Sequence, residues 1–179
     1  MTAVKCGKSY DTSMGISPLT GVTMGTRSGD CDPAALQRLM HKTGMNIGEA
    51  IDILNYKSGL LEISGISSDL RDLIESKDKR AKLARKIFIN RVVCYVGAYA
   101  AELNRVDAII FTAGVGEHDP SIRAGVIALL IYLGLDPDFK ANRADGEKFI
   151  SKPDSKVKAL IVPANEELMI AREIVRVRQ

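Results

Sequence analysis

The apolar positions of this chain fall into helical stripes, two short continuous runs and one long gap, and these patterns set the expected order of elements. Near the start, Thr2–Lys5 and Ser9–Ser13 flank Cys6-Gly7-Lys8, the layout of a hairpin. From Met14 to Asp32 the chain is rich in Gly, Ser, Thr and Pro with few periodic hydrophobes, which predicts a long ordered loop. Loops of that length are uncommon and usually functional. Asp32-Pro33 then opens a helix, the carboxylate suited to the N-cap and proline to the first helical position, with Leu36, Leu39 and Met40 as its inward stripe and Gly44 as its end. A second helix over Ile47–Lys57 places Ile47, Ile51 and Leu54 on one face and stops at Gly59, and a short one follows near Asp69–Ser76. The longest helix runs from Lys79 to Leu103, where Ala84, Ile87, Phe88, Val92, Tyr95, Val96, Tyr99 and Leu103 recur at helical spacing.

The pattern changes after Leu103. Val106–Thr112 is a continuous apolar run of strand length, Ala113–Asp119 is a Gly-rich turn, and Pro120 opens a helix with Ile122, Val126, Leu129, Leu130 and Leu133 inward. A second unit of the same kind closes the chain: strand Val157–Val162, turn Pro163-Ala164, Asn165 as N-cap and a helix to about Val177. Two successive strand, loop, helix units predict α/β architecture with parallel strands.

Composition narrows the function classes. With 46% hydrophobic and 26% charged residues the chain has the apolar surface for a buried core, which argues against disorder. The formal charge of +3 is spread along the sequence, so it gives nucleic-acid binding little support. No run approaches the roughly 18 apolar residues of a membrane span, and the first residues lack the layout of a secretory signal, so a cytoplasmic location is expected. Cys6, Cys31 and Cys94, odd in number and widely spaced, match neither a disulfide framework nor a metal motif, and are expected to be reduced and at least partly buried.

Three places carry candidate chemistry, each with a plain alternative. Thr112-Ala113-Gly114-Val115-Gly116-Glu117 lies between a strand and a helix start, where glycines admit a ligand to the backbone and free N–H groups favour phosphate; a tight turn needs the same residues. Glu166 and Glu167 follow an N-cap, where they complement the helix dipole or, at the carboxyl edge of a sheet, bind Mg²⁺. Arg27, within Gly25-Thr26-Arg27-Ser28-Gly29-Asp30, is either solvated or paired with Asp30 or Asp32, or it is a guanidinium held over a transferring phosphoryl group. Asp69 and Arg71 read locally as an exposed charge pair. His41 and His118, the only histidines, form no triad or zinc pattern, and His41 reads as structural.

The stretch Asp11-Thr12-Ser13-Met14-Gly15-Ile16-Ser17-Pro18-Leu19-Thr20-Gly21, followed by Met24-Gly25-Thr26-Arg27-Ser28-Gly29-Asp30-Cys31-Asp32-Pro33, resembles a signature of the acetate kinase family. Two further landmarks arrive in family order: Phe111-Thr112-Ala113-Gly114-Val115-Gly116-Glu117, and Pro163-Ala164-Asn165-Glu166-Glu167-Leu168. The resemblance implies the ribonuclease H-like, actin-like ATPase fold, a mixed sheet with flanking helices, and an enzyme that transfers the ATP γ-phosphoryl group to acetate, reversibly, with Mg²⁺. It matches Arg27 to the transition-state arginine, Glu166 to the magnesium-site glutamate, Gly114, Val115, Gly116, Glu117 and His118 to the adenosine loop, and Asp69, Leu70 and Arg71 to a second nucleotide contact. His118 stands where the family usually has Asn, and Ala164 where it usually has Thr.

By the same resemblance, residues 1–179 correspond to the carboxy-terminal nucleotide-binding domain of a two-domain enzyme. The family's amino-terminal domain, with its Asn-x-Gly-Ser-type phosphate loop, catalytic Asp and substrate-pocket Arg, has no counterpart in this sequence. Nor has the His-Leu-Gly-Asn-Gly segment that ends the first central strand of the carboxy-terminal domain. The expectation is therefore a half that binds ATP or ADP, is inactive towards acetate and acetyl phosphate alone, and works as a homodimer, with an amino-terminal half supplied on the same or a separate polypeptide. Two alternatives stand beside it: a non-catalytic nucleotide-binding or dimerisation module, and half of a propionate or butyrate kinase.

Overall fold

Cys6 and Gly7 both take positive φ, 51° and 74°, so the first hairpin closes through a two-residue loop of the kind that matches strand twist. The computed structural model that shows this describes residues 1–144 and 146–178. It divides into two units, Met1–Arg105 and Val106–Gln179.

In the first unit β1 (Thr2–Lys5) and β2 (Lys8–Thr12) pair antiparallel, and the register shifts between Ala3 and Val4 because Tyr10 is an extra residue on the facing strand. Residues 13–32 form no regular element. Asp32 caps α1 (Pro33–Thr43) by accepting from the Ala34 N–H, and Gly44 ends it in the left-handed conformation. Asn46 and Glu49 form a capping box at the start of α2 (Ile47–Tyr56).

The expected stop at Gly59 is instead a start, since α3 spans Gly59–Ser64. At φ +63° a Cβ on residue 59 would lie 2.2 Å from the Met24 carbonyl oxygen, so only glycine lets α3 begin under the loop that contains Arg27. After α4 (Leu70–Glu75), α5 covers Lys79–Leu103 as the spacing predicts. Its Ala81 and Ala84 are buried where it packs on α3 and α4, together with Leu60, Leu70 and Leu73. Of the rest of its expected stripe only Tyr99 is buried; Ile87, Phe88, Val92, Tyr95, Val96 and Leu103 are half-buried, and Ile47 and Ile51 of α2 are exposed. Cys6, Cys31 and Cys94 are also exposed, contrary to expectation.

The second unit is built on a mixed three-stranded sheet in the order β3 (Ala108–Phe111), β5 (Lys158–Ile161), β4 (Lys148–Phe149). β3 and β5 are parallel and β4 is antiparallel to β5. One sheet face, with Ile109, Phe111, Ala159 and Ile161, packs with Ile127, Leu135, Ile150 and Val157 into a core in which each fully buried aliphatic side chain contributes about 1.5–3 kcal/mol. Ile110 and Phe149, both paired across from or beside Leu160 on the other face, are exposed, so the apolar run at Val106–Thr112 is a half-covered strand and not a fully buried one. Among the described residues β3 pairs only with β5, which leaves its other edge open.

The expected Gly-rich turn forms a short helix, α6 (Ala113–His118), entered through Ala113 at φ 57°. Asp119 then caps α7 (Pro120–Ala128), whose buried residues are Ile122, Arg123, Val126 and Ile127; Leu129 of the expected stripe is exposed. Asn165 caps α8 (Glu166–Val177), and no residue of that helix is buried.

Candidate functional site

Each unit brings two of the sequence-marked segments together. In the first, the loop around Arg27 is held by backbone hydrogen bonds to the junction of α2 and α3. The Ser28 N–H donates to the Leu54 carbonyl at 2.9 Å, Ser58 N–H to Thr26, Leu60 N–H to Met24 and Leu61 N–H to Gly25. Thr26 Oγ1 adds a bond to the Asn55 carbonyl at 2.9 Å. The backbone of residue 27 is thus fixed, whereas its guanidinium has one hydrogen-bond partner among the described residues, Met24 Sδ at 3.9 Å. Neither expected acidic partner takes it: Asp32 caps α1, and Asp30 is engaged by Gly21, Arg91 and Tyr95.

Gly25 joins that loop to the segment before α4. A Cβ at residue 25 would come within 2.9 Å of the Ser68 carbonyl oxygen, so the two backbones touch beside Asp69. Asp69 accepts from the Arg71 N–H at 2.8 Å and from Arg71 Nη2 at 2.6 Å, the exposed charge pair that the local reading describes. The Arg71 side chain and backbone N–H hold the Asp69 carboxyl down to about 2. Leu70, the residue between them, is buried and anchors the pair.

In the second unit the parallel pairing of β3 and β5 sets their carboxyl ends side by side, so α6 and the turn before α8 are neighbours. Glu117 Oε1 accepts the Ala164 N–H at 2.7 Å and ties them together. Gly116 is packed, because a Cβ there would meet the Phe111 carbonyl carbon at 3.2 Å. Gly114 is different: a Cβ would meet nothing within 4 Å, and its φ is not left-handed. The chain's own packing gives no reason for glycine at 114, which leaves open space over the backbone. Val115 is half-buried and His118 exposed.

Arg123 supports this loop from beneath. Its buried Nη1 donates to the carbonyls of Gly116 at 2.9 Å and Glu117 at 2.6 Å, while Nε and Nη2 donate to Asn142 Oδ1 and O. Sequence reading missed Arg123, Asn142 and Glu117's bond to residue 164; an arginine among apolar stripe positions was the only available sign.

Glu166 and Glu167 occupy the first turn of α8. Glu166 is exposed and has no hydrogen-bond or ion-pair partner among the described residues, and no group of three or more metal-ligating side chains exists there. A single free carboxylate fits Mg²⁺, which keeps several waters and is commonly held by one or two carboxylates plus substrate phosphates.

The model of the acetokinase family matches residues 1–172. The acetate kinase of Geobacillus sp. (strain WCH70) is 54% identical over 180 residues, covering 98% of this chain and 45% of that protein. The crystal structure of Porphyromonas gingivalis acetate kinase superposes with a TM-score of 0.94 at 43% identity, covering 99% of this chain and 46% of that one. A propionate kinase from Francisella tularensis subsp. tularensis SCHU S4 superposes with a TM-score of 0.90 at 42% identity over 96% of this chain and 45% of that one. The chain spans about half the length of the curated relatives it matches. These likenesses bear out the expected fold.

Proposed function

Because the chain belongs to the acetokinase family, we propose that it forms the nucleotide-handling, carboxy-terminal part of an acetate kinase, which moves the ATP γ-phosphoryl group reversibly to acetate. The observation that carries this reading is the Glu117–Ala164 bond, which unites the loops after two adjacent parallel strands where open α/β sheets take their ligands. Gly114 to His118 receive the adenosine, with the uncrowded Gly114 backbone open to it, and Asp69 to Arg71 make a second nucleotide contact. Arg27, fixed in backbone and with its guanidinium bonded only to Met24 Sδ among the described residues, presents planar donors to charge developing on the equatorial phosphoryl oxygens. Glu166 would hold Mg²⁺, which would supply neutralisation of phosphate charge.

The carboxylate acceptor and its pocket belong, by family likeness, to the part of the enzyme that this chain does not match. The likeness to a propionate kinase, nearly as close as that to an acetate kinase, keeps a longer acyl chain as a second reading. The same reading takes the working enzyme as a cytosolic homodimer; among the described residues no helix is long and apolar enough to cross a membrane.

Calorimetric titration of the chain with Mg-ADP tests the nucleotide role. Measurable heat is expected, together with a rise in Tm equivalent to about 2.7 kcal/mol at 100 times the Kd. No heat and no Tm change at millimolar nucleotide would overturn it.

A further inference from the structure

We propose that Asp30 is a positioning residue for Arg27: its carboxylate clasps the base of the arginine-bearing loop and ties it to α5 through Arg91 and Tyr95. This inference rests on the reading of Arg27 given above, but its geometry stands independently.

The segment from Gly21 to Asp30 is a narrow loop closed by nested bonds. At its base the Asp30 N–H donates to the Gly21 carbonyl at 3.0 Å, and the Gly21 N–H returns a bond to Asp30 Oδ1 at 2.8 Å. Thr23 Oγ1 donates to the Ser28 carbonyl at 3.1 Å, and the Met24 N–H to the Arg27 carbonyl at 3.1 Å, which leaves Gly25 and Thr26 at the tip and Arg27 closing the last turn. The second oxygen, Oδ2, faces α5, where it accepts from Arg91 Nη2 and from the Tyr95 hydroxyl, the latter at 2.7 Å. One carboxylate therefore closes the loop with one oxygen and docks it on the longest helix with the other. The α2–α3 junction grips the tip from its other side.

This arrangement separates positioning from stability. The Arg91 and Asp30 side chains are 32% and 41% exposed, and an ion pair so placed contributes only about 0–1 kcal/mol to folding. Its consequence is local. A displacement of roughly 1 Å at a group that acts on the transition state can cost about a hundredfold in rate. Loss of the clasp should therefore appear in kcat far more than in Tm, and more in kcat than in KM, because Arg27 acts on charge that arises after substrates bind.

Asp30→Asn keeps an acceptor for Gly21 but removes the charge that holds Arg91. In an active kinase carrying this chain, the variant should lose about tenfold or more in kcat, with KM for ATP and acetate within about twofold and Tm nearly unchanged. Hydrogen exchange at the Met24–Ser28 amides should quicken by a similar factor through local opening. Tyr95→Phe, which removes one donor only, should move the same readouts less. In an Arg27→Ala background, Asp30→Asn should add no further loss of kcat. Unchanged exchange in Asp30→Asn overturns the clasp whatever kcat does, and so does a full additional rate loss in the Arg27→Ala background. A normal kcat in Arg27→Ala alone overturns the reading of Arg27 and leaves the exchange result to decide the clasp.

Discussion

Glu117 reaches out of α6 and accepts the backbone N–H of Ala164 at 2.7 Å, so one side chain couples the loop after β3 to the turn that presents Glu166. The bond is exposed and contributes little to folding, but it fixes two segments assigned to one nucleotide and its magnesium. Glu117→Ala should therefore weaken Mg-ADP binding while shifting Tm by no more than a few degrees, and Glu117→Gln, which keeps an acceptor, should recover most of the affinity. Calorimetry with each variant checks this.

Gly25 lies against Ser68 so closely that an added methyl would sit 2.9 Å from a carbonyl oxygen. Gly25→Ala should force the Arg27 loop away from the segment before Asp69, costing about 1–3 kcal/mol in a urea melt and lowering kcat in an active kinase. A variant with normal stability would show that the two backbones do not touch.

Arg123 donates to four buried or half-buried acceptors, including the carbonyls of Gly116 and Glu117. Arg123→Leu should destabilise by about 3 kcal/mol or more, since it strands those acceptors. Arg123→Lys should restore only part of this, because a lysine lacks the fork that reaches Asn142 and the loop together. Denaturant midpoints measure both.

Tyr95 should ionise late. Burial first, and then its hydrogen bond to the Asp30 carboxylate, push the phenol up to about 12. A phenol whose folded pKa is raised above its unfolded value, near 10, contributes stability that is complete below about pH 10 and lost as pH rises through about 12. Burial raises Tyr99 as well, so phenolate absorbance should show a tyrosine titrating near 12 that disappears in Tyr95→Phe while the raised Tyr99 remains, and that variant should lose less stability between those pH values.

The elements legible in the sequence were those with strong local signals. The caps Asp32, Gly44 and Asn165 fix their helices through their own side chains or φ, and α5 carries an unbroken helical spacing. What escaped was decided at a distance. Gly59 reads as a helix stop, yet it is glycine because the Arg27 loop passes 2.2 Å from where its Cβ would be. β4 has two residues and exists only as a partner of β5. The inward stripes of α2 and α5 were legible as stripes, but not the extent to which they are covered, because exposure depends on neighbours and not on spacing. For the candidate site, local residue types left Arg27 and the loops at residues 114–118 and 166 with plain alternatives and only the family resemblance marked them, whereas the contacts through Glu117, Asp30 and Arg123 join positions far apart in sequence.

The central proposal is that this chain carries the nucleotide and phosphoryl-handling residues of an acetate kinase, with Arg27 acting on the transition state. The most direct measurement is acetyl phosphate formation from ATP and acetate by this chain alone, by the chain joined to the amino-terminal half of a relative, and by the joined form bearing Arg27→Ala. The chain alone should give no turnover, because on this reading the acceptor is positioned by the part of the relatives that this chain does not match, and phosphoryl transfer depends on that positioning. The joined form should be active, and Arg27→Ala should lower its kcat by about 10³ or more with little change in KM. Turnover by the chain alone, or a joined enzyme indifferent to the loss of Arg27, would contradict the proposal.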